Sequence, residues 1–304
     1  MTQARHFLDL DEVTRAEVEQ LVMRAREHKR GVPEADRLRR GRLVVAMFFE
    51  PSTRTAMSFA VATTRLGAQW LDFNAGSSSL SKGESIEDTM RTLRAIGADA
   101  IVVRHAAGGY PHEMARHFAG SIINAGDGCH AHPTQGILDA LTLIEEFETL
   151  EDRHLVIAGD INHSRVARSS ARAAWLLGAS VTLCGPPLLL PATTPAWGFA
   201  ALETNLDAVL PSADALMLLR IQNERGTGAE LPPRGDLAFG YGLDERRMAL
   251  LAPHAIVMHP GPVNRGVEIA QQFVTHERSR IERQVNNGVF ARMAVLEACL
   301  ERSG

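Results

Sequence analysis

The sequence predicts an α/β protein of two α/β domains, each a parallel sheet flanked by helices, the two linked by long helices. Three observations carry this expectation. The chain has 304 residues, beyond the size at which a single core usually stops growing. Short apolar, β-branched runs alternate with amphipathic stretches, the pattern of βαβ units. That alternation pauses at a long helix-forming segment and then restarts. The expected division is a first domain over 1–133 with about 286–304, a second over about 149–280, and a linking helix over 134–148.

In the first half, 11–29 carries Val13, Val18, Leu21, Val22 and Ala25 on one side and reads as an amphipathic helix. The polar, Arg-rich stretch 31–41 is a loop. Leu43 to Phe49 is a continuous apolar run, suited to a strand buried on both faces. Glu50 and Pro51 end it, Ser52 can cap a helix, and Ala56, Phe59, Ala60 and Leu66 recur at helical spacing. A strand over 70–73 precedes a small, polar loop over 74–83, where mobility is expected. A helix over 84–96 follows, with Met90, Leu93 and Ile96 as its core residues. Then come a strand over 100–103 ending in Arg104 and His105, a helix near 110–118 and a strand over 121–124. A loop over 125–134 leads to a long helix over 135–148.

In the second half, strands are expected over 155–158, 181–184, 215–219 and 255–258. Helices are expected over 164–177 and from about 289 to 300. The Pro- and Leu-rich stretch 185–195 leads to a short helix, and the Gly- and Pro-rich stretch 226–242 is a second loop expected to move.

Lysine and arginine number 32 against 36 acidic residues, a net charge of −4. Neither this balance nor any charge run points to nucleic acid. Cys129, Cys184 and Cys299 are far apart and match no zinc spacing or disulfide framework. The opening M-T-Q-A-R-H-F-L-D-L lacks the apolar core of a signal peptide. No apolar run reaches the ~20 residues that span a bilayer. The expectation is a cytoplasmic protein, with no membrane contact, no metal and no cofactor.

In open α/β sheets, ligands lie beyond the carboxyl ends of the strands. Those ends deliver Ser52–Thr55, Arg104 and His132-Pro133-Thr134-Gln135 in the first half. In the second they deliver 159–165, Arg220-Ile221-Gln222 and His259–Pro262. Arg54, Arg104, Arg165, Arg220 and Lys82 are therefore expected around one cleft. Ser52–Thr55 begin a helix, where unpaired amides and the helix dipole favour a phosphate or carboxylate. There is no paired-carboxylate couple, no Gly-x-Ser-x-Gly and no Cys-His pair. Such a site binds anions and supplies no protein nucleophile. It suits acyl-type transfer between substrates that bring their own nucleophile and leaving group.

F-x-E-x-S-T-R-T at 48–55 resembles the signature of the aspartate/ornithine carbamoyltransferase family. The resemblance extends over about 43–295. S-S-L-S-K-G-E-S at 78–85, V-R-H at 103–105 and N-A-G-D-G-x-x-x-H-P-T-Q at 124–135 carry it in the first half. G-D-I-x-H-S-R-V-A-R-S at 159–169, R-x-Q-x-E-R at 220–225 and H-P-G-P-V-N-R-G-V-E-I at 259–269 carry it in the second, and look most like the family's aspartate branch. The resemblance implies that the first domain binds carbamoyl phosphate and the second L-aspartate. By the same resemblance, Ser52, Thr53, Arg54 and Thr55 hold the phosphate, with Arg104 bridging phosphate and carbamoyl oxygen. Thr55, Arg104 and His132 polarise that carbonyl. Gln135 and backbone carbonyls in the Pro260, Gly261, Pro262 turn accept from the carbamoyl amide. Arg165, Arg220 and Gln222 take the aspartate carboxylates. The loop with Ser79 and Lys82 reaches in from a neighbouring subunit of a homotrimer with shared active sites. Glu50 pairs with Arg165 and Arg225 on closure. Further assembly with regulatory or dihydroorotase-like chains stays open.

Taken singly, these residues have plainer readings. Arg104 and Arg220 could be solvated strand-end residues, Lys82 a solvent lysine, Gln135 a helix-start residue and His132 a loop histidine. His105 and His259 read as structural. An ornithine-type enzyme would share the phosphate end, but Arg165, Arg220 and Lys82 would repel a cationic substrate. A non-catalytic homologue would be expected to lack ligands such as Arg54, Thr55, Arg104, His132 or Gln135, all present here. A nucleotide-binding Rossmann protein would need G-x-G-x-x-G after the strand ending at Ala158, and none occurs there. Cys129, Asn162 and Asn223 depart from the family pattern, as does the Gly/Pro content of 226–242.

Overall fold

The computed structural model describes residues 6–31, 41–74, 83–191, 198–220 and 240–300. Ser79, Lys82, Gln222, Asn223 and Arg225, with most of the loops 74–83 and 226–242, lie outside the described residues. The chain divides into two compact units, 1–141 with 286–304 and 142–285. It leaves the first unit within one helix and returns within another.

The first unit holds a four-stranded parallel sheet of order β2-β1-β3-β4. Its strands are β1 (Leu43–Phe48), β2 (Gln69–Phe73), β3 (Ala100–His105) and β4 (Ser121–Asp127). Its helices are α1 (Arg15–Lys29), α2 (Thr53–Arg65), α3 (Ile86–Ile96) and α4 (Tyr110–His117). β1 and β3 are central, and Val44, Val45, Met47, Ile101 and Val103 are buried, as continuous apolar runs require. β2 is an edge strand and is mostly exposed. α1 starts at Arg15, later than expected, because Thr14 closes a capping box with Glu17. Val13 therefore lies outside the helix.

Ile96 is a correction. It is 64% exposed, while Met90 and Leu93 are buried. Positions spaced three apart drift about 60° per step on a helix, so Ile96 sits about 120° from Met90, off the buried face. β4 also runs past Asn124 to Asp127. The side chains make this possible: Asn124 Nδ2 donates to Leu8 O and to Asp127 Oδ1, both at 2.8 Å, and Asn124 Oδ1 accepts from Gly126 N at 2.7 Å. Buried polar groups satisfied in this way extend a strand that an apolar pattern would end.

Helix α5 (Pro133–Phe147) carries the chain toward the second unit. There a five-stranded parallel sheet has the order β7-β6-β5-β8-β9. Its strands are β5 (His154–Ala158), β6 (Ser180–Cys184), β7 (Ala200–Glu203), β8 (Ala215–Leu218) and β9 (Ile256–Met258). Helices α6 (Arg165–Leu176), α7 (Leu206–Val209) and α8 (Glu245–Leu250) accompany them. β7 and α8 were not anticipated, and among the described residues the short helix expected after 185–195 comes only beyond β7, as α7; each is too short to show a period. Val156, Ala158, Leu216, Leu218 and Val257 form the core with Leu206, Met248 and Phe273. The closing helix α9 (Ile281–Leu300) begins before the expected Val289, since its polar first turns hide the apolar period.

Candidate active site

In the first unit the order β1-β3-β4 sets three carboxyl ends side by side. The first leads into α2. Ser52 occupies the N-cap position, but its hydroxyl makes no capping bond, contrary to expectation. Its backbone φ/ψ of −159°/85° turns the chain without it. Thr53 and Arg54 are exposed and Thr55 is buried. The first turn of α2 contains no acidic residue, so no side-chain carboxylate of that turn occupies the positive end of the dipole.

The second end presents Arg104, paired in register with Phe48. Its Nη1 donates to Ala125 O at 3.2 Å, and its Nε lies 3.5 Å from Glu50 Oε2. Glu50 follows β1 and Ala125 lies in β4, the two strands that flank β3, so the guanidinium is steered from two sides. His105 is stacked on Tyr110 with ring centroids 3.8 Å apart and meets Phe49 edge-on at 5.0 Å. It is spent on packing.

The third end is the turn from β4 to α5. The fully buried Asp127 carboxylate accepts from Gly109 N at 2.6 Å and Ala131 N at 3.0 Å, and lies 3.0 Å from His130 Nδ1. Burial would raise this carboxyl, but the bonds from His130, Asn124 and Gly109 outweigh burial and hold it low. A charged anchor thereby shapes the turn that delivers His132 and Gln135, both buried. Gln135 N donates to His132 O at 2.9 Å, and Gln135 Nε2 donates to Asp139 Oδ1 at 3.0 Å. Cys129 is exposed on the same turn. Sequence reasoning missed Asp127 and Asp139. The spacing of Asp139, one helical turn after Gln135, was the available signal.

In the second unit, β5, β8 and β9 are neighbours and their ends again adjoin. After β5, Gly159 has φ +130°, and a Cβ there would meet Leu219 O at 3.2 Å. Asp160 is buried, with its Oδ1 2.9 Å from His163 Nδ1. Asn162 Nδ2 donates to Leu190 O at 2.8 Å, which gives this departure from the family pattern a structural task. Ser164 caps α6 through Ala167 N, and the first helical residue, Arg165, is buried. Arg220 follows β8 and is half-buried. After β9, His259 Nδ1 accepts from Gly261 N at 2.8 Å, and His259 N donates to Gln284 Oε1 at 2.9 Å. These bonds hold the turn of Pro260, Gly261 and Pro262, where Gly261 has φ +68° and the Gly261–Pro262 peptide is cis. No His/Cys/Asp/Glu group among the described residues could hold a metal ion.

Comparison with known proteins gives consistent matches. Residues 5–145 match the model of the aspartate/ornithine carbamoyltransferase carbamoyl-P binding domain, and residues 151–299 match the Asp/Orn binding domain. The aspartate carbamoyltransferase catalytic subunit of Chloroflexus aurantiacus is 48% identical over 299 residues, covering 96% of this chain and 97% of the relative. That of Myxococcus xanthus is 47% identical over 295 residues, covering 97% and 99%. The crystal structure of aspartate transcarbamoylase from Trypanosoma cruzi in complex with carbamoyl phosphate and aspartate superposes with a TM-score of 0.89 at 29% identity, covering 98% of both chains. The same protein in complex with N-(phosphonacetyl)-L-aspartic acid gives 0.87, also at 29% identity, covering 98% of this chain and 97% of that one.

Proposed function

The chain belongs to the aspartate/ornithine carbamoyltransferase family, and we propose from that premise that it transfers the carbamoyl group of carbamoyl phosphate to the amino group of L-aspartate. The products are N-carbamoyl-L-aspartate and phosphate, an early step of de novo pyrimidine biosynthesis. The observation that carries this reading is the adjacency of three strand ends in the first unit. They bring Ser52–Thr55, Arg104 and the His132–Gln135 turn to one edge of one sheet.

Each residue has a task there. The first turn of α2, with Ser52, Thr53, Arg54 and Thr55, binds the phosphate through amides, hydroxyls and one guanidinium. Arg104, aimed by Glu50 and Ala125, bridges phosphate and carbonyl oxygen. The aspartate amine attacks the carbamoyl carbon, and the carbonyl oxygen gains negative charge. Thr55, Arg104 and His132 donate to that oxygen. Gln135 and carbonyls of the Pro260–Pro262 turn accept from the carbamoyl NH2. The tetrahedral centre collapses as the C–O bond to phosphate breaks, and the attacking nitrogen gives up its proton to the departing phosphate. Arg165, Arg220 and Gln222 bind the two aspartate carboxylates. Proximity and charge neutralisation supply the rate enhancement.

The first domain thus binds carbamoyl phosphate and the second aspartate. The active unit is a homotrimer in which Ser79 and Lys82 come from a neighbouring subunit. Supporting this, Met57 (60% exposed) and Val61 lie one turn apart on α2, and Leu71 is exposed on the edge strand β2, apolar area of the kind that association covers. No described helix is long and apolar enough to cross a membrane; a cytoplasmic location is part of this proposal. The test is a carbamoyl transfer assay with aspartate and ornithine side by side. Turnover with aspartate alone is expected; equal turnover with ornithine would overturn the specificity.

A further inference from the structure

Beneath the first unit's strand ends lies a buried charged pair that the reaction scheme above does not use. Asp139 is 1% exposed and Arg292 3% exposed. Asp139 sits on α5, one turn after Gln135, and accepts from Gln135 Nε2. Arg292 sits on α9. Its Nη1 donates to Gly288 O at 3.0 Å, and its guanidinium lies 5.1 Å from the ring centroid of Phe59. Phe59 is one turn after Thr55 on α2. The same cation therefore packs against the helix that carries Thr55.

The positive charge of Arg292 is coupled to Asp139. Burial pushes the guanidinium down to about 10, and the Asp139 carboxylate acts in the opposite direction. Arg292 therefore stays charged at neutral pH and stabilises the ionised carboxylate, which would be costly alone in this surrounding. Gly288 makes the arrangement fit: a Cβ there would come within 2.5 Å of Arg292 Nη1 and 3.4 Å of Leu138 Cδ2. Glycine inside a helix costs about 1 kcal/mol relative to alanine, so its presence in α9 marks a close approach.

An ionised carboxylate can only accept hydrogen bonds. A glutamine amide facing it must present Nε2, which turns Oε1 the other way. We propose that Asp139, backed by Arg292, is a positioning residue that sets the amide orientation of Gln135, so that Oε1 accepts from an N–H of the carbamoyl group. The inference rests on the functional reading above and deepens it. It makes the Asp139–Arg292 pair the source of selectivity for an amide-bearing donor over a methyl-bearing one.

The experiment compares two phosphonates by calorimetry. Phosphonoacetamide carries the NH2 group; 2-oxopropylphosphonate carries a methyl group in its place. The wild-type protein is expected to prefer the amide by about tenfold, the worth of one directed hydrogen bond. Asp139→Asn, which can face Gln135 with either end of its own amide, is expected to lose most of that preference. It should retain its affinity for 2-oxopropylphosphonate, while its melting temperature falls because the buried Arg292 loses its partner charge. In Gln135→Ala the share of the preference that Gln135 supplies is already gone, and adding Asp139→Asn should change the remainder no further. Gly288→Ala, a gentler change, should reduce the preference two- to threefold by displacing Arg292, and it decides the matter if Asp139→Asn does not fold. Equal weakening of both phosphonates, or an unchanged preference in both variants, would overturn the inference. Wild-type protein that transfers carbamoyl groups yet shows no preference would also overturn it. Absence of carbamoyl transfer would sink the functional reading itself.

Discussion

Replacing Glu297 by glutamine removes one charge from a clamp that ties α9 to α1. Arg24 Nε donates to Glu297 Oε2 at 2.6 Å and Nη2 to Oε1 at 2.7 Å, and His28 Nε2 lies 2.9 Å from Oε2. Burial alone would raise this carboxyl. The hydrogen bonds from Arg24 and His28 outweigh burial and hold it at about 2, against 4.5 for an ordinary glutamate. A lowering of that size corresponds to about 3 kcal/mol of folding free energy. The folded value lies below the unfolded one, so this stabilisation is complete above about pH 4.5 and is lost as the pH falls toward 2. Urea unfolding of both proteins along a pH series reads it directly. Near pH 7, Glu297→Gln should be less stable by about 3 kcal/mol; near pH 3 the gap should shrink to roughly half. A gap that does not change with pH would refute the assignment to charge. A gap below about 1 kcal/mol near neutrality would mean that Arg24 and His28 find equal partners without the carboxylate.

Arg54→Ala should lower kcat by at least about a hundredfold with little change in melting temperature, because the leaving phosphate loses its cation; near-normal turnover would argue against phosphate binding at α2. Mixing Lys82→Ala chains with Arg54→Ala chains should restore part of the activity through sites assembled from two subunits. Hybrids shown to form without any rescue would argue against a shared site. Gly159→Ala should destabilise the protein by about 1–3 kcal/mol, since φ +130° and the 3.2 Å approach to Leu219 O both resist a side chain. Because Leu219 immediately precedes Arg220, KM for aspartate should rise more than KM for carbamoyl phosphate; an equal rise in both would show a general loss of fold.

Much of this architecture was legible in the sequence because parallel strands buried on both faces leave an unbroken apolar signature. The apolar runs 43–49 and 100–103 are of this kind, and β1 and β3 formed over them, β1 ending one residue earlier and β3 running on through Arg104 and His105. Candidate ligand positions were legible for a related reason: a polar residue just past such a run stands at a strand's carboxyl end. Arg104 and Arg220 stand at that position. The pattern failed where burial is not apolar. Asn124 and Asp127 extend β4 because they satisfy one another and the backbone, and periodicity cannot see a bond between side chains. Asp139 and Arg292 failed the same way. A charge on an amphipathic helix is assigned to solvent unless its partner is known, and here the partner is on α9, far along the chain. Ile96 shows the converse error: an apolar residue in the last turn was assigned to the core by spacing alone, although three-residue steps had already carried it off the buried face. Residues proposed to bind can thus be read from where strands stop. Residues that aim the binders depend on pairings between distant helices, and those appear only once the helices are packed.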